Sequence, residues 1–214
     1  MIFLSSRRKT LALGSALALA AGAAALFAGQ AKAAPAIGQP APAFAAADAD
    51  GKVRTLEEFK GKTVVLEWTN EGCPYVKKHY GSGNMQGLQK SATDDGVVWL
   101  TLISSAPGQQ GYLDAAGARA WKTKANASSS AVLLDPQGRV GKAYDAKTTP
   151  HMYVIDKAGT LVYMGGIDDK ATSNPADIKS ATNYVTAALG DVKAGRAVAQ
   201  AVTKPYGCNV KYAG

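Results

Sequence analysis

Three apolar runs, each the length of one strand, set the tightest limit on the fold. They are Thr63-Val64-Val65-Leu66-Glu67-Trp68, Val97-Val98-Trp99-Leu100-Thr101-Leu102-Ile103 and Ala131-Val132-Leu133-Leu134. A strand with one face in water alternates apolar and polar residues. Runs this continuous belong to strands covered on both faces. Stretches of helical character separate them, one from about Cys73, broken near Gly81-Ser82-Gly83 and resuming at Asn84, and one over residues 111–124. Further on, His151–Asp156 and Thr160–Met164 flank the turn Lys157-Ala158-Gly159, which reads as an antiparallel hairpin. A last helix is expected from about Pro175 to Gly190 or beyond. The order predicts an α/β domain with a mixed central β-sheet and helices on both faces.

The length of 214 residues allows one such domain with appendages. The N-terminus reads Ser5-Ser6-Arg7-Arg8-Lys9, then an Ala/Leu-rich run to Ala28, then Ala31-Lys32-Ala33. A basic start, an apolar middle and a small-residue cleavage site are the parts of a signal peptide. Residues 1–33 are therefore read as a leader, cleaved after Ala33, through either the general or the twin-arginine route. A retained membrane anchor is the alternative; the glycines and alanines make the run weakly apolar for a spanning helix. Residues 34–190 form the domain, and 191–214 a C-terminal extension carrying Cys208. The expected location is outside the cytoplasm, in the periplasm, with no stable membrane association once the leader is gone.

Charge adds little. The chain is +8, with 24 basic and 16 acidic residues, but four basic residues and no acid lie in 1–33, which leaves 20 against 16. No basic run argues for nucleic acid, and no Cys/His spacing argues for a metal. No cofactor is expected.

The chemistry-bearing residue is Cys73. Proline suits the first position of a helix, so Pro74 makes Cys73 the expected N-cap. A sulfur there faces unpaired N–H groups near Tyr75 and Val76, at the positive end of the helix dipole, which favours thiolate. Lys77 lies one turn on and can add positive potential. Lys78 and His79 read as a solvated helix face. Cys208, 135 positions later, is the second of two cysteines. In an exported chain an even pair suggests a bridge. That bridge is either a staple, worth about 5 kcal/mol by chain entropy, or a labile bond in which Cys208 resolves an oxidised Cys73. Trp68 and Trp99 read as core residues, and Asp168-Asp169 as a turn or helix cap.

Three blocks carry a resemblance. They are Glu67-Trp68-Thr69-Asn70-Glu71-Gly72-Cys73-Pro74-Tyr75-Val76, Thr148-Thr149-Pro150-His151-Met152-Tyr153-Val154-Ile155-Asp156 and Lys204-Pro205-Tyr206-Gly207-Cys208. Over about residues 36–190 the chain resembles thioredoxin-like redoxin domains of the alkyl hydroperoxide reductase/thiol-specific antioxidant family. The resemblance implies a cis Thr149–Pro150 bond facing Cys73, exposing the Thr149 backbone to a substrate. It places Cys73, Cys208, Thr149 and Pro150 in the catalytic site. His151 reads as a surface strand residue, with reach to the Cys73 thiolate as the alternative. Two departures stand out: Val76 occupies the place of a thioredoxin's second cysteine, and Asn70 and Leu66 stand where a peroxiredoxin carries Thr or Ser and Pro. Thr69, one place off, replaces that hydroxyl only with a longer loop. The implied activities are peroxide reduction by Cys73 with an outside thiol reductant, or thiol–disulfide exchange on exported proteins. A non-catalytic redoxin scaffold with a Cys73–Cys208 staple is the third alternative.

Overall fold

The computed structural model describes residues 1–2 and 34–213; the expected leader, apart from its first two residues, lies outside them. Seven strands form the main sheet in the order β2-β1-β5-β4-β3-β7-β8. Here β1 is Ala45–Asp48, β2 Val53–Thr55, β3 Val64–Trp68, β4 Val98–Ile103, β5 Ala131–Leu134, β7 His151–Ile155 and β8 Leu161–Gly165. A separate two-stranded piece pairs β6 (Thr148–Thr149) with β9 (Cys208–Asn209). β3, β4 and β5 run parallel, while β7 lies antiparallel to β3 and β8 to β7. This is the mixed sheet that the sequence predicts, with a thioredoxin-like topology.

The continuous apolar runs are explained by packing on both faces. Val64, Leu66 and Trp68 of β3 join Leu100, Leu102, Leu133, Tyr144 and Tyr153 on one face. Val65 joins Trp99, Met152, Val154, Val185 and Ala188 on the other. Helices α1 (Pro74–Gly81), α2 (Asn84–Asp94) and α5 (Tyr184–Lys193) cover the second face, and short α4 (Arg139–Ala143) part of the first. Helix α3 (Ala115–Lys124) seats Ala118 and Trp121 over Ile103 and Val132. Trp68 meets Tyr153 and Tyr144 with ring centroids 5.1 and 5.5 Å apart. Each such pair adds about 0.5–1.5 kcal/mol beyond burial. Both tryptophans are fully buried core residues, as expected.

The interruption at Gly81-Ser82-Gly83 is real. Gly83 takes φ 77°, a left-handed turn that ends one helix geometry before α2 begins. The single last helix is not. Residues Pro175–Ser180 form a 3₁₀ turn, Ala181 is extended, and α5 starts afresh with Asn183 accepting from the Thr186 N–H. A second Asx cap, which also read as helix interior, causes the split.

Candidate functional site

The site forms where β3 ends. Thr69 leaves the sheet with its N–H on the Leu102 carbonyl, and Asn70 then ties the loop together. Its side-chain oxygen accepts from the Gly72 N–H at 2.8 Å, its amide donates to the Gln110 carbonyl at 3.3 Å, and its own carbonyl takes the Cys73 N–H at 3.0 Å. Cys73 is the N-cap of α1, in extended conformation (φ −76°, ψ 126°), and Pro74 opens the first turn. The Cys73 carbonyl accepts the Lys77 N–H at 2.9 Å, the first bond of the helix. The expected placement of the sulfur at a helix start therefore holds.

Opposite stands the Thr149–Pro150 peptide, which is cis, as the resemblance implied. The Thr149 carbonyl oxygen lies 3.1 Å from Cys73 Sγ. The Thr149 backbone is not open, however. The chain's own tail returns across it, with Thr149 opposite Cys208 and Thr148 opposite Asn209 in antiparallel register. This strap leaves Cys73 with no exposed surface. Its close seat needs glycine at 207, where φ is 137° and a Cβ would overlap the Thr149 carbonyl. The four residues assigned to the site thus converge, in a closed rather than an open arrangement.

Both thiols are free, and their acidities diverge. Burial pushes the Cys73 thiol up. Hydrogen bonds from the Cys208 thiol, the Val76 and Cys208 N–H groups and Thr149 outweigh it, so Cys73 sits below the ordinary thiol value. One contact works against this: the Thr149 carbonyl is an acceptor that only the protonated thiol satisfies. The thiolate therefore relaxes away from that oxygen, towards its donors. Cys208 moves the other way, to about 11, through burial first, then its hydrogen bond to Cys73 and the charge there. The pair is thus a thiolate-prone sulfur and a proton-holding one. Lys77 is exposed; the groups that lower Cys73 are its hydrogen-bond partners. Thr69 Oγ1 is buried with no partner among the described residues.

Several sequence readings need correction. Lys78 and His79 are buried, not solvated, because α1 turns them toward the tail. Asp168 holds a turn, its Oδ1 accepting the Lys170 N–H at 2.9 Å, but it caps no helix and is buried, 3.6 Å from Lys78 Nζ and 3.9 Å from His79 Nε2. Asp169 accepts the Thr182 N–H across the loop. His151 is buried beside Tyr153, its Nδ1 accepting the Lys147 N–H, and burial lowers its pKa to about 4. A cavity of 520 Å³ opens by Thr63 at the far end of β3 and holds none of these groups.

Two residues escaped the sequence reading. Glu67 is fully buried and accepts from Trp99 Nε1 and Tyr80 Oη (each 2.8 Å) and Gln89 Nε2 (2.9 Å); burial raises its pKa. A lone acid in an apolar strand was the available signal. Tyr206, two residues before Cys208, enters the Lys78–His79–Asp168 cluster. Among the described residues no His/Cys/Asp/Glu group could hold a metal, and no helix is long and apolar enough to cross a membrane.

Comparison with known proteins fits this geometry. The AhpC/TSA family model matches residues 37–164. No curated protein matches. A conserved uncharacterized protein from Geobacillus kaustophilus superposes with a TM-score of 0.72 at 27% identity, over 83% of this chain and 93% of that one. A hypothetical protein from Sinorhizobium meliloti gives 0.73 at 24% identity, over 85% and 97%. A candidate protein disulfide isomerase from Bacteroides thetaiotaomicron gives 0.53 at 18%, over 74% and 90%. The last two likenesses bear on fold alone.

Proposed function

Since this chain belongs to the AhpC/TSA family, we propose that it is an exported thiol peroxidase in which Cys73 attacks and Cys208 resolves. The observation that carries the reading is the placement of the two thiols: Cys208 pairs with Thr149, whose carbonyl oxygen lies 3.1 Å from Cys73 Sγ, and the two acidities are pushed apart. In the first step the Cys73 thiolate attacks one peroxide oxygen. A sulfur–oxygen bond forms, the oxygen–oxygen bond breaks, and the departing alkoxide or hydroxide takes a proton from solvent. Cys208 then attacks the sulfenic sulfur. A disulfide forms, and the hydroxyl leaves with the Cys208 proton as water. Two equivalents of an outside thiol reduce the bond and become a disulfide themselves.

A small oxidant suits the closed strap. An extended polypeptide would need the Thr148–Thr149 edge, and β9 already occupies it. Thiol–disulfide exchange on exported proteins is the second reading, and it requires the strap to leave. Export is supported by the expected leader over residues 1–33.

The test is peroxide consumption with a thiol reductant by wild type, Cys73→Ser and Cys208→Ser. Wild type should turn over and form an intramolecular bond; Cys73→Ser should be inert; Cys208→Ser should accumulate a dimedone-reactive Cys73. Equal peroxide loss with wild type and Cys73→Ser would defeat the proposal. Insulin reduction by wild type, absent in Cys73→Ser, would favour the second reading.

A further inference from the structure

The strap is fixed on both sides of Cys208. Downstream it is held by backbone and packing. The Val210 N–H reaches the Lys147 carbonyl at 3.0 Å, and the Tyr212 ring lies over Gly138 and Gly141 with its hydroxyl on the Ala146 carbonyl at 2.7 Å. Upstream the tail is tied to β8 by the Thr203 N–H on the Met164 carbonyl at 3.1 Å and the Gly166 N–H on Thr203 Oγ1 at 3.0 Å, and between that tether and Cys208 one buried side chain anchors it. Tyr206 Oη donates to Asp168 Oδ1 at 2.5 Å and lies 3.1 Å from His79 Nε2 and 3.5 Å from Lys78 Nζ. The Lys78 ammonium also sits 5.4 Å above the Tyr206 ring, and Tyr75 meets that ring edge-on at 5.8 Å.

These contacts have one consistent direction. His79 is held neutral: burial lowers its pKa to about 4, opposed by Asp168 and reinforced by Lys78. Its Nδ1 faces the Asn84 amide at 2.8 Å, an N–H donor, so Nε2 carries the proton. The series then runs from the Asn84 amide to His79, from His79 to Tyr206, and from Tyr206 to Asp168. Asp168 also accepts the Lys170 N–H, and Lys78 donates to the Lys170 carbonyl at 2.7 Å. Burying a lysine, a histidine and an aspartate is costly unless each is tied in place. Here all of them converge on one hydroxyl. The cluster grows from α1, five and six residues after Cys73, and grips the tail two residues before Cys208.

We infer that Tyr206 is the positioning residue for resolution: its hydroxyl sets the register of the strap, so that the Cys208 thiol faces Cys73. The inference rests on the proposed peroxidase cycle for its second readout and stands apart from it for the first. It separates two properties that a general loss of stability would not. Losing the hydroxyl loosens the strap between its Thr203 tether and Cys208, so Cys73 becomes easier to reach and harder to resolve.

Tyr206→Phe keeps the ring over Lys78 and against Tyr75 and removes only the hydroxyl. Two rates are measured on the full chain. The first is carbamidomethylation of Cys73 in reduced protein by iodoacetamide. The second is the lifetime of sulfenic acid at Cys73 after one equivalent of hydrogen peroxide, read by dimedone capture. The expected result is labelling faster by about tenfold and a sulfenic lifetime longer by a similar factor, which is what a lost buried hydrogen bond supplies. Sulfenic acid should form no more slowly than in wild type. Asp168→Asn, which retains an acceptor for Tyr206, should move both rates in the same direction by less. Wild-type labelling in folded Tyr206→Phe would overturn the assignment. So would faster labelling with an unchanged sulfenic lifetime. If wild type forms no sulfenic acid, the peroxidase reading fails, and the labelling arm still decides whether Tyr206 holds the strap.

Discussion

The strap can be lifted by one methyl group. Gly207 has φ 137°, and a Cβ built there would stand 2.7 Å from the Thr149 carbonyl carbon and closer still to its oxygen. Carbon atoms rest at about 3.5–4.0 Å, so in Gly207→Ala the strap must retreat by about 1 Å. Backbone, not a flexible side chain, opposes the methyl, so retreat is the only relief. It breaks the β6–β9 pairing and the 3.0 Å bond from the Val210 N–H to the Lys147 carbonyl. Two such bonds are worth about 1 kcal/mol each, and alanine in left-handed backbone costs about 1–2 kcal/mol more. The closed state loses about 3–4 kcal/mol in all, or about 10²–10³ in the closed-to-open ratio. Opening also removes the Cys208 donor from Cys73, which raises that thiol and takes back part of the gain at neutral pH.

The assay is iodoacetamide labelling of reduced wild type and Gly207→Ala at pH 7, with the labelled residue identified by peptide mass. Cys73 has no exposed surface in the closed form, so its labelling follows the open population. Labelling at Cys73 should accelerate by at least about tenfold, while urea unfolding retains its slope, since Tyr206 and Tyr212 still tether the tail. A change of less than threefold in a folded variant would refute the argument: either the strap does not shield Cys73, or it already stands open in solution.

Three further outcomes are expected. Oxidation by one equivalent of peroxide should remove two hydrogens, join Cys73 to Cys208 and raise the urea midpoint, because closing a long loop constrains the unfolded chain; dithiothreitol should restore the midpoint. Stability should fall on acidification: His79 and His151 titrate at about 4 in the fold, burial being the main cause, against 6.5 unfolded. The unfolded chain then binds the extra protons, so stability is whole above pH 6.5 and is lost as pH falls towards 4. At pH 5 the loss is about 2 kcal/mol per histidine, measured by urea titration at pH 7 and 5, and His151→Asn should remove about half of it. Glu67→Leu should destabilise by about 3–5 kcal/mol in the same titration, since it orphans the Trp99, Tyr80 and Gln89 donors.

Legibility in the sequence followed the range of the interaction. Strands buried on both faces announce themselves in every residue, so β3, β4 and β5 were readable, and Pro74 alone marked Cys73 as a cap. The tail was unreadable for the opposite reason. Cys208–Asn209 is a two-residue strand whose partner lies about sixty positions earlier, and no local pattern encodes such a pairing. Lys78, His79 and His151 were misplaced because charge and polarity predict exposure, whereas their burial depends on Asp168, Tyr206 and Tyr153 arriving from other elements. Arg139–Ala143 was missed because five residues carry too little periodicity.

The coupling between the thiols gives the closed site its direction. Cys208 is held at about 11, after burial, by its hydrogen bond to Cys73 and the negative charge there. Both contributions exist only while Cys73 is a thiolate. In the proposed cycle, conversion of that sulfur to a neutral sulfenic acid removes them, and the Cys208 proton becomes easier to lose as its sulfur attacks. Before oxidation the same proton lies on the side of Cys73, where it supports the nucleophile. In the proposed cycle this coupling therefore serves both half-reactions, provided that the strap stays in register. A tail free to wander would keep neither the lowered Cys73 nor the timed release of Cys208. This gives a physical reason for placing glycine at 207 and a buried anchor at Tyr206 on the segment that carries the second sulfur.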